Sequence, residues 1–156
     1  MTEWLTGSGE IISFQEVLNR VVDHSLLNGA ISIGTDSQVR KDYCTFSTAI
    51  CLYGGDGQSG GRFFILRENR PKGNLSTLIQ RITAEVETSV NLGIKIQKIA
   101  PRVAIELHLD ISSSDKKERT SRFSDMLVGY ARGAGFACRV KPDSWAAASV
   151  ADKYSK

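Results

Sequence analysis

Apolar residues at Phe14, Val17, Leu18, Val21, Val22 and Leu26 fall three or four apart, the stripe of a helix with one buried side. Ser13 and Glu16 form the Ser-x-x-Glu box that opens such a helix, and Asn28-Gly29 closes it. The period then shortens. Ile31–Gln38, Tyr43–Tyr53 and Arg62–Arg67 read as strands joined by short connections, an antiparallel meander. The glycine-rich run 54–61 leads from strand to strand, so it predicts a hairpin loop and not a phosphate cradle, which needs a helix N-terminus. A second helix follows, with Asn74 as N-cap and Leu75, Leu78, Ile79, Ile82 and Val86 as its stripe up to Gly93. A basic connection through Lys95, Lys98 and Arg102 leads to the strand Val103–Asp110, parallel to the first because it follows a helical crossover. The polar segment Ser112–Arg122 runs into a helix carrying Phe123, Met126, Leu127, Tyr130 and Ala134, with Gly129 and Gly133 on one face for close packing. Phe136–Val140 is a short strand, and Asp143 is placed to cap a last, alanine-rich helix.

Composition narrows the class. A chain of 156 residues, 41% apolar and 24% charged, suits one globular domain over 1–156, with 1–29 as an N-terminal helical extension. The net charge of +3 permits an anionic partner without demanding one. Three cysteines with no CxxC spacing give no zinc motif and fit a reducing compartment. With no signal-like start and no run of ~20 apolar residues, a cytoplasmic protein is expected.

Candidate chemistry lies at the ends of two strands. On Ile31–Gln38, Ser32, Gly34 and Asp36 share a face; on Val103–Asp110, Ala104, Glu106, His108 and Asp110 do. In the second helix Glu85 falls beside Leu78 and Ile82 and can reach back over the sheet, whereas Glu87 points to solvent. Asp143 and Asp152, nine residues apart, would stand ~13–14 Å apart along a helix and cannot serve one compact site together. His24 is expected to be a packing or surface residue, and His108 to take a structural hydrogen-bonding role.

The order β-β-β-α-β-α-β-α after an N-terminal helix is that of the ribonuclease H-like fold. It implies an α/β domain with a mixed five-stranded sheet, a three-stranded antiparallel meander plus parallel strands, flanked by helices. Its first and fourth strands are parallel neighbours, so Asp36 and Asp110 should lie side by side. Two carboxylates so close repel unless a proton or cation sits between them. Mg²⁺ or Mn²⁺ is the cofactor such oxygen donors would take. Gly34-Thr-Asp-Ser-Gln38, Leu107-His-Leu-Asp-Ile111, Gly129-Tyr130, Gly135-Phe136 and Lys141-Pro-Asp-Ser-Trp-Ala-Ala147 resemble the YkuK family, bacterial proteins of unknown activity in the ribonuclease H-like superfamily. The resemblance runs from about Ile31 to the C-terminus. Carried over by position, it implies that Asp36, Asp110, Glu85 and Asp143 are catalytic and metal-binding residues, with Asp152 in reserve. The Asp143-Ser-Trp-Ala-Ala-Ala run resembles the opening of the last helix in Holliday-junction resolvases. Glu85 lies about three turns into its helix, later than the glutamate of ribonuclease H proper.

These features lead to a metal-dependent nuclease or phosphodiesterase acting on RNA or DNA. Ser37, Gln38, Lys116, Lys117 and Lys141 are the expected substrate contacts, and Arg67–Lys72 and Lys116–Arg122 the basic segments that would meet phosphates. The alternative is a catalytically silent nucleic-acid-binding or adaptor protein on the same fold. The ATP-handling branch is disfavoured, because no second Gly-Thr-rich strand turn is present.

Overall fold

The computed structural model describes residues 3–112 and 121–156. It begins with a hairpin that the hydrophobic pattern does not announce, β1 (Glu3–Thr6) and β2 (Ile11–Ser13). Helix α1 (Phe14–Leu26) starts at the expected cap, where Ser13 Oγ accepts the Glu16 N–H at 3.1 Å. His24 on this helix is a packing residue: its Nε2 donates to the carbonyls of Ala30 and Tyr53, both at 3.0 Å. The meander β3 (Ala30–Val39), β4 (Tyr43–Tyr53) and β5 (Arg62–Pro71) follows as expected, with β5 longer than its apolar run. The glycine-rich loop joins β4 to β5 as a strand-to-strand connection.

Helix α2 (Leu78–Ile99) departs from expectation at both ends. Asn74 lies in a separate 3-10 turn, Gly73–Leu75, and the cap is Thr77, paired with Gln80 in a reciprocal capping box. Gly93 does not end the helix, and Lys95 and Lys98 belong to it. A Cβ at Gly93 would stand 2.7 Å from the Phe136 ring, so this glycine serves close packing. Strand β6 (Ile105–His108), helix α3 (Ser121–Gly133), strand β7 (Ala137–Arg139), a π-helical segment (Ala146–Ala151) and α4 (Asp152–Ser155) complete the chain. Gly129 and Gly133 are exposed with nothing against them, so the close packing expected there is absent; Leu127 and Ala131 are the buried apolar residues described on that helix.

The sheet has seven strands, not five, in the order β2-β1-β5-β4-β3-β6-β7. The extra pair is the N-terminal hairpin, antiparallel to β5 through Leu5 and Ile65. One face carries the larger core, closed by α1, α2 and α3 around Ile33, Ile50, Val86, Val90 and Leu107. The other is covered by the C-terminal segment through Ala49, Cys51, Ile65, Ala146 and Ala151. Gly34 makes that cover possible, because a Cβ there would meet the backbone of Ala146 and Ala147. Among the described residues no helix is long and apolar enough to cross a membrane.

Candidate functional site

Strands β3 and β6 pair in parallel with Ile31 opposite Ile105 and Gly34 opposite His108. The same register carried two residues further sets Asp36 beside Asp110, just past the end of β6. Asp36 is 6% exposed and Glu85 8%. Asp36 faces the C-terminal segment: Ser155 Oγ donates to its Oδ2 at 2.7 Å, and the Asp152 carboxyl lies in hydrogen-bonding contact with it. Glu85 arrives from α2 on the opposite face and accepts from Ser37 Oγ at 2.6 Å. Asp110 is partly exposed, with Lys141 Nζ 3.5 Å from its Oδ1, and Lys156 Nζ lies 2.9 Å from Asp152 Oδ2.

The electrostatics follow from this crowding. Burial pushes the Asp36 carboxyl up to about 7, the Ser155 hydroxyl opposes that, and the charges of Asp110 and Asp152 add to it. Burial also holds Glu85 well above the usual carboxylate range, reinforced by Asp36 and Asp110 and opposed by the Ser37 hydroxyl and N–H. Each of the four carboxyls therefore acts on another of the four. Ser47, directly opposite Asp36 on β4, is fully buried, and its Oγ has no hydrogen-bond partner.

An all-oxygen donor set suits Mg²⁺ or Mn²⁺ and not a soft metal. Among the described residues no three His, Cys, Asp or Glu side chains close on a single point as a metal cage. Mg²⁺ is ordinarily held by one or two carboxylates, waters and substrate phosphate, not by an all-protein cage. The pairs Asp36–Asp110 and Asp36–Asp152, with an orphaned hydroxyl beside them, fit that mode of binding.

Asp143 stands apart. It is exposed, its N–H donates to Val140 O, and its charge is not among those acting on Asp36 or Glu85. It does not cap the last helical segment, whose first turn closes on the Ser144 carbonyl. Asp152 takes the place beside Asp36 that the position-by-position transfer gave to Asp143. Ser37 is engaged with Glu85, and Lys141 with Asp110. Lys116 and Lys117 lie outside the described residues. Sequence reasoning missed Ser47 and Ser155; the tight turn at Lys41-Asp42 could have paired Asp36 with Ser47, but nothing in the sequence marks Ser155.

His108 holds the structural role expected of it. The Ala146 N–H donates to its Nδ1 at 3.0 Å, so Nε2 carries the proton and donates to Glu106 Oε1 at 3.0 Å. Arg139 Nε, 2.8 Å from the same oxygen, fixes Glu106 in turn. Burial lowers the His108 pKa, against the pull of Glu106. The neutral ring, edge-on to Trp145, thus ties the start of the C-terminal segment to β6.

The chain is similar to the uncharacterized protein YkuK of Bacillus subtilis (strain 168), at 29% identity over 165 aligned residues, covering 93% of this chain and 92% of that one. No solved structure is a significant match. The family model described as ribonuclease H-like matches residues 13–156, nearly the whole chain and every element of the carboxylate site, and the protein belongs to that family.

Proposed function

We propose that the protein is a divalent-metal-dependent nuclease or phosphodiesterase acting on nucleic acid. One observation carries this reading: four carboxyls from β3, α2, the end of β6 and α4 act on one another at one end of the sheet, two of them buried. Mg²⁺ or Mn²⁺, when bound, would supply the charge that lets these groups ionise together and would lower the pKa of an attacking water. Asp36 and Asp110 would hold the ion, with Glu85 and Asp152 completing its surroundings. Ser37 and Ser155 orient Glu85 and Asp36, and Lys141 keeps an ammonium beside Asp110, within reach of a substrate phosphate. The test is cleavage of RNA, RNA/DNA hybrid, single-stranded DNA and four-way junctions with Mn²⁺. Asp36→Asn combined with Asp110→Asn should lower the rate at least about a hundredfold; an unchanged rate would refute the site.

A second reading, a silent nucleic-acid-binding or adaptor protein, is favoured by the local partners Ser155, Ser37, Lys141 and Lys156 that each carboxyl already has. Calorimetric titration with Mn²⁺, alone and with a non-cleavable substrate analogue, separates the two. No heat of binding up to about millimolar ion in either titration supports the silent reading.

A further inference from the structure

The sheet face that carries Asp36 changes character along its strands. Directly paired residues share a face, so its rows across β3, β4 and β5 can be read from the register. The rows Ser32–Cys51–Phe63 and Gly34–Ala49–Ile65 lie under the C-terminal segment, with Tyr154 packed on Phe63. At the row Asp36–Ser47–Arg67 that cover ends, with Ser155 on Asp36 and Arg67 exposed. The next row, Gln38–Thr45–Asn69, is wholly polar, and Tyr43 beyond it is 41% exposed.

The rim of this strip is open and its β4 column is not: Gln38, Arg67, Asn69 and Tyr43 reach solvent, while Thr45 and Ser47 are buried between them. On the opposite face at the same level, Cys44 and Phe46 are fully buried, and Arg70 lies 4.0 Å above the Phe46 ring. Asp36, at the inner end, is the one acidic residue that β3, β4 or β5 places on the strip's face. Thr45 Oγ1 donates to Asn69 Oδ1, leaving the Asn69 NH₂ group outward, and Arg40 braces the edge by donating to Ser155 O and Thr45 Oγ1. Among the described residues neither the Gln38 amide nor the Arg67 guanidinium has a hydrogen-bond or ion-pair partner. Ser47 adds an independent observation: a fully buried hydroxyl without a partner, between Asp36 and Arg67.

We propose that this strip binds one single-stranded nucleic acid, with a phosphate on Arg67, a base against Tyr43, and the chain running towards the Asp36 carboxyl. The inference rests on the nucleic-acid reading above and deepens it by naming the substrate class. The strip is three strands, or about 10 Å, wide. It offers a ring face, amides and a free cation, the combination that holds a splayed single strand.

The test is fluorescence anisotropy with a labelled oligonucleotide of about twelve nucleotides, in RNA and DNA form, single-stranded and as a duplex, with chelator present so that nothing is cut. The wild type should bind single strands more tightly than the duplex. Tyr43→Ala should weaken binding about five- to tenfold, and Arg67→Ala should reduce the salt slope by about 0.7. Both residues are exposed, and circular dichroism checks that both variants fold. Asp36→Asn should bind at least as tightly as the wild type, since it removes a negative group. Equal or tighter duplex binding, no binding, or wild-type affinity in both strip variants would overturn the proposal. The two readings fail separately. Mn²⁺-dependent cleavage unaffected by the strip variants removes the strip and leaves the nuclease. Single-strand binding that the strip variants abolish, in a protein that cuts nothing, removes the nuclease and leaves the strip.

Discussion

Asp36 is where the folded state works against an ionised carboxylate. Its pKa rises from an ordinary 3.8 to about 7, chiefly through burial. Between those values the folded chain holds a proton that the unfolded chain has lost. Stability therefore falls as pH rises through this window, by up to about 4 kcal/mol from this group. Glu85 acts in the same direction. Asp36→Asn keeps an oxygen for Ser155 and removes the titration. In chelator, its melting temperature should match the wild type near pH 4 and exceed it by roughly 5 °C or more at pH 8. Added Mn²⁺ should raise the wild-type melting temperature at pH 8 by mass action and leave the variant unchanged. A wild-type melting curve independent of pH from 4 to 8 would contradict the burial of Asp36.

At the scale of elements, the site depends on how closely the C-terminal segment lies on β3. Gly34 sets that distance, since a Cβ there would meet the Ala146 and Ala147 backbone, 2.6 Å from the Ala146 carbonyl carbon. Backbone cannot rotate away as a side-chain tip can. Gly34→Ala should therefore lift the segment, cost about 1–3 kcal/mol, and move Asp152 and Ser155 off Asp36. Gly93→Ala is the matched control: its clash is with the Phe136 ring at 2.7 Å, between α2 and the loop before β7. Both variants should melt several degrees lower, but only Gly34→Ala should lose Mn²⁺ affinity by calorimetry. Equal loss in both would mean that general loosening, not the segment's position, governs the site. The same segment shows why Asp152 was legible only as a reserve behind Asp143. The Asp152 N–H bonds to Ala147 O, five residues back, and this wider π-type turn resets which residues face the sheet. A 3.6-residue count from the alanine run cannot place Asp152 or Ser155. Glu85 was legible because α2 is regular around it, and its place beside Ile82 followed from the helical period.

Across the whole molecule, α1, the meander and α2 were readable because each is long enough for its period to show. Strands β6 and β7, four and three residues long, were readable because the apolar stretches Val103–Asp110 and Phe136–Val140 run beyond their paired residues. The N-terminal hairpin was not, since strands of four and three residues carry too few alternations and form only against a β5 edge supplied from distant sequence. That hairpin decides how the sheet ends. Without it β5, ten residues long, would be open along its whole edge and able to pair with another chain; with it the apolar start of that edge, at Phe64 and Ile65, is paired to β1. Trp4 anchors the arrangement, 2% exposed and stacked on Phe14 at 6.0 Å. Trp4→Ala should cost about 3–5 kcal/mol, a fall of roughly 10 °C in melting temperature, and should promote aggregation as β5 is uncovered. Asp36 lies two strands inward from β5, on the face opposite Trp4. Well below the melting point, Mn²⁺ affinity and single-strand binding should therefore stay at wild-type values. Light scattering on heating, beside calorimetry at low temperature, checks both halves: a site lost together with the hairpin would show that the extra strands help build it, and an intact site in an aggregation-prone protein would show that they only seal the sheet.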